Sequence, residues 1–333
     1  MKENLIKIPT KDLSEKDWQK LRQSFVDKGM TGGSDAGTLI GWNKYKSPVS
    51  MYYQALGIKQ YENNGSIETL MGKMQEDNIA YQWQYYDEDD SVFMSNYFTQ
   101  TKPRAYKKEK DIIINPDYPT LFANLDGIIT KHPKMGSKKG ILEIKKINSE
   151  VVRMYENELP PQYIAQCNHY MLVMGFDYAE LCMRIDGRRM ICHLIKANTE
   201  IQQAILIQSK EHGSRLELAK QALAAGNTTD LELMYQIAAQ YEPMADATED
   251  FKNFITEKHK ERGNEKVIPG ERVHDKWIDN YQKADAAIKE AEHRKLFWGN
   301  KLRQAMEKKG ASVLDTDTNR ITWRKSFLVK KKF

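Results

Sequence analysis

The sequence predicts a mixed α/β (α+β) chain, a central sheet flanked by helices, with an added C-terminal helical region. Three observations carry this. Helical and strand signals are interleaved up to about residue 200. Two apolar runs, Tyr178–Ile185 and Arg189–Lys196, meet at Asp186-Gly187. That dipeptide suits a tight hairpin, because both central positions of a type I′ turn need positive φ. From about residue 199 the pattern turns helical.

The elements follow in order. GMTGGSDAGTLIG places Gly32, Gly33, Ser34 and Asp35 just before a short apolar helix. Glycines followed by a hydroxyl expose backbone N–H groups suited to a phosphate, and plain N-capping explains the same residues. Lys28, Lys44 and Lys46 lie around this turn in sequence. SIETLMGKMQEDNIAYQW reads as a helix with Glu76 four residues after Gly72. LFANLDGII and GILEIKKI read as two strands joined by a Lys- and Gly-rich loop, with Asp126 near the end of the first. PPQYIAQCNHYMLVMG reads as a helix opened by Pro160-Pro161 and closed by Gly175, with Tyr163, Gln166 and Tyr170 on one face. After the hairpin, Asn198 or Thr199 caps a helix running to about Ala225. Helical stretches cover roughly 229–262, and Pro269-Gly270 breaks them. Trp277, Tyr281, Ala284, Ile288, Ala291, Trp298, Leu302 and Ala305 then mark a long amphipathic helix ended by Gly310. Two short strands and the Lys330–Lys332 end follow; that end is either solvated or in contact with phosphate. The expected domains are residues 1–198, a core; 199–310, helical; and 311–333, a strand pair and basic tail packing back on the core.

Composition narrows the function classes. A chain of 333 residues with 40% hydrophobic content can build a substantial core. With 51 basic and 46 acidic residues the net charge is only +5, so charge alone does not identify a nucleic-acid partner. Cys167, Cys182 and Cys192 form no CxxC pair, which disfavours a disulfide scaffold and a cysteine-rich metal site. No apolar run reaches the length of a bilayer span, and the first residues lack a signal-peptide core. A cytoplasmic location and no membrane partner are expected.

The chemistry centres on Asp126, Glu143 and Lys145. Residues two apart in a strand share a face, so Glu143 and Lys145 project together while Leu142 and Ile144 turn to the other side. Alone, a Glu-x-Lys strand is as well explained by a surface ion pair. An Asp preceding it in a neighbouring strand sharpens the pattern. Phosphodiester hydrolysis needs hard oxygen donors for a divalent cation, an aimed water and positive charge against the developing anion. Asp126 and Glu143, with the Ile144 carbonyl, can supply the oxygens. Lys145 can orient or deprotonate the water and stabilise the anion. Glu76 can add a third carboxylate from a helix.

The ordered set GGSDA, G-K-x-x-E, L-D-G, L-E-I-K and Y-x-x-Q-x-x-x-Y-M over roughly residues 20–197 resembles the lambda-exonuclease-like (YqaJ-type) phage recombinases of the PD-(D/E)XK nuclease superfamily. The resemblance implies a restriction-endonuclease-like core. It implies Mg²⁺-dependent 5′-to-3′ exonuclease action at double-stranded DNA ends, with Mn²⁺ as a substitute. It also implies a homotrimer and a single-strand annealing protein as partner. Under it, Asp126 and Glu143 correspond to metal ligands, beside the Ile144 carbonyl already named, Glu76 to the helix carboxylate near the second metal, Lys145 to the catalytic lysine, and Gln166 to the glutamine of the following helix. Ser34 corresponds to a 5′-phosphate contact, and Gly33, Lys28, Lys44 and Lys46 lie around it as candidate phosphate contacts read from the residues themselves. Leu125 replaces the superfamily's proline, Asn168 stands where a second glutamine is often found, and no Arg occurs shortly before the glycine pair, leaving Lys28. Exposed-looking aromatics in YQWQYYDEDD and NYF, and Leu296-Phe297-Trp298, are candidate subunit contacts. The alternatives are another PD-(D/E)XK endonuclease or resolvase, or a catalytically inactive DNA-binding assembly protein.

Overall fold

The structure, a computed structural model, describes residues 4–58, 67–155, 158–262, 269–317, 319–324 and 327–332. In chain order the elements are β1 (Ile6–Ile8), α1 (Glu15–Asp27), β2 (Thr31–Gly32), α2 (Gly33–Leu39), α3 (Pro48–Ala55), α4 (Ile67–Trp83), α5 (Asp90–Phe98), β3 (Ala105–Lys107), β4 (Ile112–Ile114), β5 (Leu121–Asn124), β6 (Gly127–Lys131) and β7 (Gly140–Ile147). They continue with α6 (Ser149–Met154), α7 (Pro161–Met174), β8 (Tyr178–Ile185), β9 (Arg189–Lys196), α8 (Thr199–Gly226), α9 (Leu231–Ala238), α10 (Glu249–Arg262), α11 (Arg272–Glu307), β10 (Val313–Asp315), β11 (Asn319–Arg324) and β12 (Phe327–Lys332). The fold is mixed α/β.

The main sheet has the order β3-β6-β7-β8-β9. Only the β7–β8 pair is parallel, as the crossover through α7 requires. A second sheet runs β1-β4-β5-β2. The two faces of β7 go to different layers. Ile141 and Ile147 join the core formed with α7, while Leu142 and Ile144 join the core formed with Ile79, Ala80 and Trp83 of α4. The β8–β9 hairpin turns where expected, with φ of 49° at Asp186 and 69° at Gly187. Gly175 closes α7 at φ 67°, the left-handed conformation that glycine adopts without a Cβ penalty.

Two expectations are corrected. LFANLDGII is not one strand: β5 belongs to the second sheet and β6 to the main sheet, and Leu125-Asp126 is the switch between them. The C-terminal lysines are not a loose tail. β12 pairs antiparallel with β11, Asn319 opposite Lys332, which adds a third strand to β10 and β11. The side chains of Lys330, Lys331 and Lys332 lie outside the described residues.

The chain divides into two compact units, Met1–Gly263 and Asn264–Phe333. The expected boundary after residue 198 therefore runs through the first unit. There α8 buries Ile205, Leu216 and Ala219 against the cores of α7 and of α3. In the second unit α11 runs for 36 residues, about 54 Å at 1.5 Å per residue. Among the described residues no helix is long and apolar enough to cross a membrane.

Two buried histidines give a pH-dependent stability. The His169 ring nitrogen Nε2 lies 2.9 Å from the Phe122 carbonyl, so its N–H donates there. Burial lowers both His169 and His212 to about 4. The folded state thus binds fewer protons than the unfolded chain. The stabilisation is complete above the ordinary histidine value and drains away as pH falls towards 4. At pH 5 each histidine is expected to have cost on the order of 2 kcal/mol. The thermal midpoint followed from pH 7.5 to 5 should fall, and should fall less in His169→Asn. Identical slopes in both proteins would rule out this origin.

Candidate functional site

A cleft of about 660 Å³ is lined by Arg22, Gly33, Ser34, Glu76, Asp126, Glu143, Ile144, Lys145, Gln166 and Tyr170, among others. Four separate stretches of sequence meet here: α1 and α2, α4, the β5–β6 switch with β7, and α7.

The sheet switch explains how Asp126 reaches the site. Where the chain leaves one sheet for the other, the half-buried Asp126 turns its Oδ2 to accept the Ile144 N–H at 2.7 Å. On β7, Glu143 is 1% exposed, and its Oε1 accepts from Lys145 Nζ at 2.5 Å. Glu143 Oε2 is buried with no hydrogen-bond partner. Lys145 Nζ also lies 5.5 Å from the centre of the Tyr163 ring on α7. Gln166 Nε2 donates to the Tyr170 hydroxyl at 3.1 Å. Tyr163, Gln166 and Tyr170 thus present the expected single face to the Glu143–Lys145 side of the sheet.

The charges are unbalanced. Burial, reinforced by the Asp126 charge, pushes Glu143 up to about 8 against the opposing pull of Lys145. Burial also raises Asp126, with Lys145 and the Ile144 N–H working the other way. Burial disfavours the Lys145 ammonium, but Glu143 and Asp126 outweigh it, and Lys145 is held above its ordinary value. It is therefore an ammonium, a donor rather than a base, in this state. The buried Glu143 and the half-buried Asp126 share one lysine, and Glu143 Oε2 remains unpartnered. That donor set fits a hard divalent cation, which prefers oxygen ligands. Glu76 lines the same cleft from α4, and its charge raises Glu143 further. Among the described residues no three His, Cys, Asp or Glu side chains are gathered as a ready cage, so the carboxylate pair is the nucleus of the site and Glu76 stands beyond it.

The α2 turn differs from its sequence reading. Ser34 Oγ accepts from Arg22 Nη2 on α1 at 2.8 Å, and Gly32, the residue preceding α2, makes no side-chain capping bond. Gly33 is required by packing: a Cβ there would sit 2.2 Å from Tyr170 Cε1. Gly37 is required likewise, with a Cβ 2.8 Å from the Gln162 Cα. α2 thus lies directly against α7.

The three lysines assigned to phosphate do not line the cleft. Lys28, at the end of α1, faces a different hollow with Gly29, Pro119 and Lys210, because the helix carries it one and a half turns past Arg22. Lys44 lies over the rings of Tyr45 and Tyr155. Lys46 is spent on Asp35, at 2.7 Å. Burial opposes the Asp35 charge, but Lys46 and then Arg22 hold its carboxyl below the ordinary value. Two basic residues of the cleft were missed by the sequence reading, Arg22 and Lys146, and Arg22 is the one that holds Ser34. A helical reading of the stretch from Glu15 to Asp27 would have pointed to it, since that helix brings a residue twelve positions upstream back to Ser34.

Residues 17–177 match the YqaJ-like viral recombinase domain. The uncharacterized protein YqaJ of Bacillus subtilis (strain 168) is 26% identical over 224 residues, which is 66% of this chain and 62% of that protein. The match therefore spans less than two thirds of the relative's length. Among solved structures, the alkaline exonuclease LHK-Exo from Laribacter hongkongensis aligns at 16% identity and a TM-score of 0.42, covering 66% of this chain and 98% of that one. A phage related exonuclease from Haemophilus somnus 129PT aligns at 14% identity and a TM-score of 0.37, covering 56% and 95%. Residues 17–177 form a YqaJ-like viral recombinase domain, homologous to YqaJ.

Proposed function

We propose that this chain is a divalent-metal-dependent deoxyribonuclease that digests double-stranded DNA from its ends, in phage-type recombination. The observation that carries the reading is the pair Asp126 and Glu143 beside Lys145, with an unpartnered oxygen on the buried Glu143, in a cleft of a YqaJ-like domain. Asp126, Glu143 and the Ile144 carbonyl would hold Mg²⁺ or Mn²⁺, with Glu76 completing the shell from α4. The bound ion would supply Lewis-acid polarisation of the phosphate and a more acidic water. The chain's own residues do the rest. Lys145 donates to the attacking water and meets the charge that develops on the phosphate. Gln166, held by the Tyr170 hydroxyl, orients the oxygen side of that water. Tyr163 and Tyr170 cover the lysine and limit solvent access.

Polarity, assembly and partner extend the same reading. Digestion runs 5′ to 3′, three subunits close a ring on the duplex, and a single-strand annealing protein receives the exposed strand. A ring supplies the grip that a net charge of +5 does not, since phosphate contacts weaken with salt. The aromatics expected at the subunit contact need revision: Trp83, Tyr85 and Tyr86 are buried, whereas Tyr97, Phe98, Leu296, Phe297 and Trp298 are exposed. Adding EDTA is expected to stop digestion of linear duplex, and excess Mg²⁺ to restore it. Undiminished digestion in EDTA would reject the metal-dependent reading.

Arg22 and Ser34 give a second test. Both line the cleft, and a guanidinium paired with a hydroxyl suits a terminal phosphate. A 5′-phosphorylated end should be degraded faster than a 5′-hydroxyl end, by about tenfold for one charge-assisted contact. Arg22→Ala should erase most of that preference and Ser34→Ala part of it. Equal initial rates on both ends in the wild type would remove the phosphate anchor.

A further inference from the structure

The strand next to β7 carries a buried carboxylate that the chemistry above does not use. Glu180 on β8 stands opposite Leu142 and is 3% exposed. Its Oε2 accepts from Trp83 Nε1 at 2.8 Å and lies 3.5 Å from Arg104 Nε. Its Oε1 is 3.2 Å from His132 Nε2. Arg104 in turn donates to the Tyr86 carbonyl, and its own N–H to the Gln84 carbonyl at 3.3 Å. All four side chains are buried. Burying such a set gains little stability over apolar packing of the same volume, so its effect is to fix one geometry. What it fixes is the end of α4.

Trp83 and Glu76 are seven residues apart in that helix. At about 100° per residue they differ in azimuth by only about 20°, with Ile79 between them on the same buried face. Rotation or sliding of α4 that breaks the Trp83–Glu180 bond therefore swings Glu76 out of its place in the cleft by the same angle. Ile79 and Trp83 also pack on Leu142 and Ile144, the residues flanking Glu143. The bond thus ties α4 to β8, the strand paired with β7, and the packing on Leu142 and Ile144 ties the same helix face to β7 itself, which carries Glu143.

We propose that Glu180, through Trp83, is a positioning residue that sets Glu76 against the Asp126–Glu143 pair. This rests on the nuclease reading above. A group hydrogen-bonded directly to a metal ligand is worth roughly 10- to 100-fold in metal affinity; Glu180 acts through the helix, so the lower end of that range is the expected loss.

The test is a double-mutant cycle read by calorimetric Mn²⁺ titration and by steady-state cleavage of linear duplex, in the full chain well below its melting midpoint. Glu180→Gln keeps the shape and removes the charge. Trp83→Phe keeps the ring and removes the N–H, and leaves Glu180 paired with Arg104 should the first variant fail to fold. Each is expected to weaken Mn²⁺ binding roughly tenfold or more and to lower kcat with KM for DNA within about twofold. In a Glu76→Gln background the same changes should add nothing to the loss of affinity, because the carboxylate they position is gone. Phe254→Leu, in the separate core around α3 and α10, should lower the melting midpoint without touching Mn²⁺ affinity. Losses that add in full to that of Glu76→Gln, or Mn²⁺ affinity that tracks the melting midpoint across all variants, would overturn the positioning role alone. A wild type that neither binds Mn²⁺ nor cleaves DNA would overturn the nuclease reading and this inference with it.

Discussion

Glu143→Ala and Asp126→Ala are each expected to remove DNA cleavage, by at least roughly 10³-fold, while the protein stays folded. Glu143 is buried where its charge is disfavoured and its carboxyl is pushed up to about 8, so the fold gains little from it. Truncating it leaves a small cavity beside Lys145, which is partly exposed and can rehydrate. Asp126→Ala leaves the Ile144 N–H without its acceptor, a cost of about 1–3 kcal/mol that the cores on both sides of β7 absorb. The activity, in contrast, depends on both oxygens. Melting curves and digestion of linear duplex at matched purity check the two halves of the statement. Wild-type turnover by either variant would remove the pair from the site.

Lys145→Ala is expected to lower turnover by roughly 10²- to 10⁴-fold with Mn²⁺ affinity changed far less. An ammonium cannot ligate a cation, so its removal spares the oxygen donors. It also releases Glu143 Oε1, now engaged at 2.5 Å. Because Lys145 is held protonated by Glu143 and Asp126, Lys145→Arg should retain part of the rate that Lys145→Ala loses, by conserving charge without the same reach. Calorimetric Mn²⁺ titration alongside single-turnover cleavage separates the two effects. A collapse of affinity with turnover preserved would reverse the roles of lysine and carboxylates.

Local signals in the sequence were the readable ones. The Asp186-Gly187 turn, the Pro161–Gly175 helix and the shared face of Glu143 and Lys145 all follow from periods of two and of 3.6 and from backbone conformations that few residues adopt. What was not legible depends on partners distant in sequence. LFANLDGII has an unbroken strand pattern, and only the competition of two sheets for its halves shows that the chain changes sheets at Asp126. Arg22 and Lys28 look equivalent as basic residues before the glycine turn, yet α1 directs one at Ser34 and the other away. Trp83 and Tyr85 read as surface aromatics because charged residues follow them; Glu180 and the Tyr81–Gln100 neighbourhood bury them. Glu180 itself sits in a strand whose other residues, Arg184 apart, are apolar or aromatic, where nothing local announces three buried partners.

The most direct measurement compares linear duplex with a covalently closed circle of the same sequence, in Mg²⁺, for the wild type and Glu143→Ala. The account predicts steady conversion of the linear duplex to nucleotides and single strands by the wild type, an intact circle, and neither substrate degraded by the variant. A circle cut as readily as the linear duplex would contradict action from an end and favour an endonuclease, and equal digestion by both proteins would contradict the site.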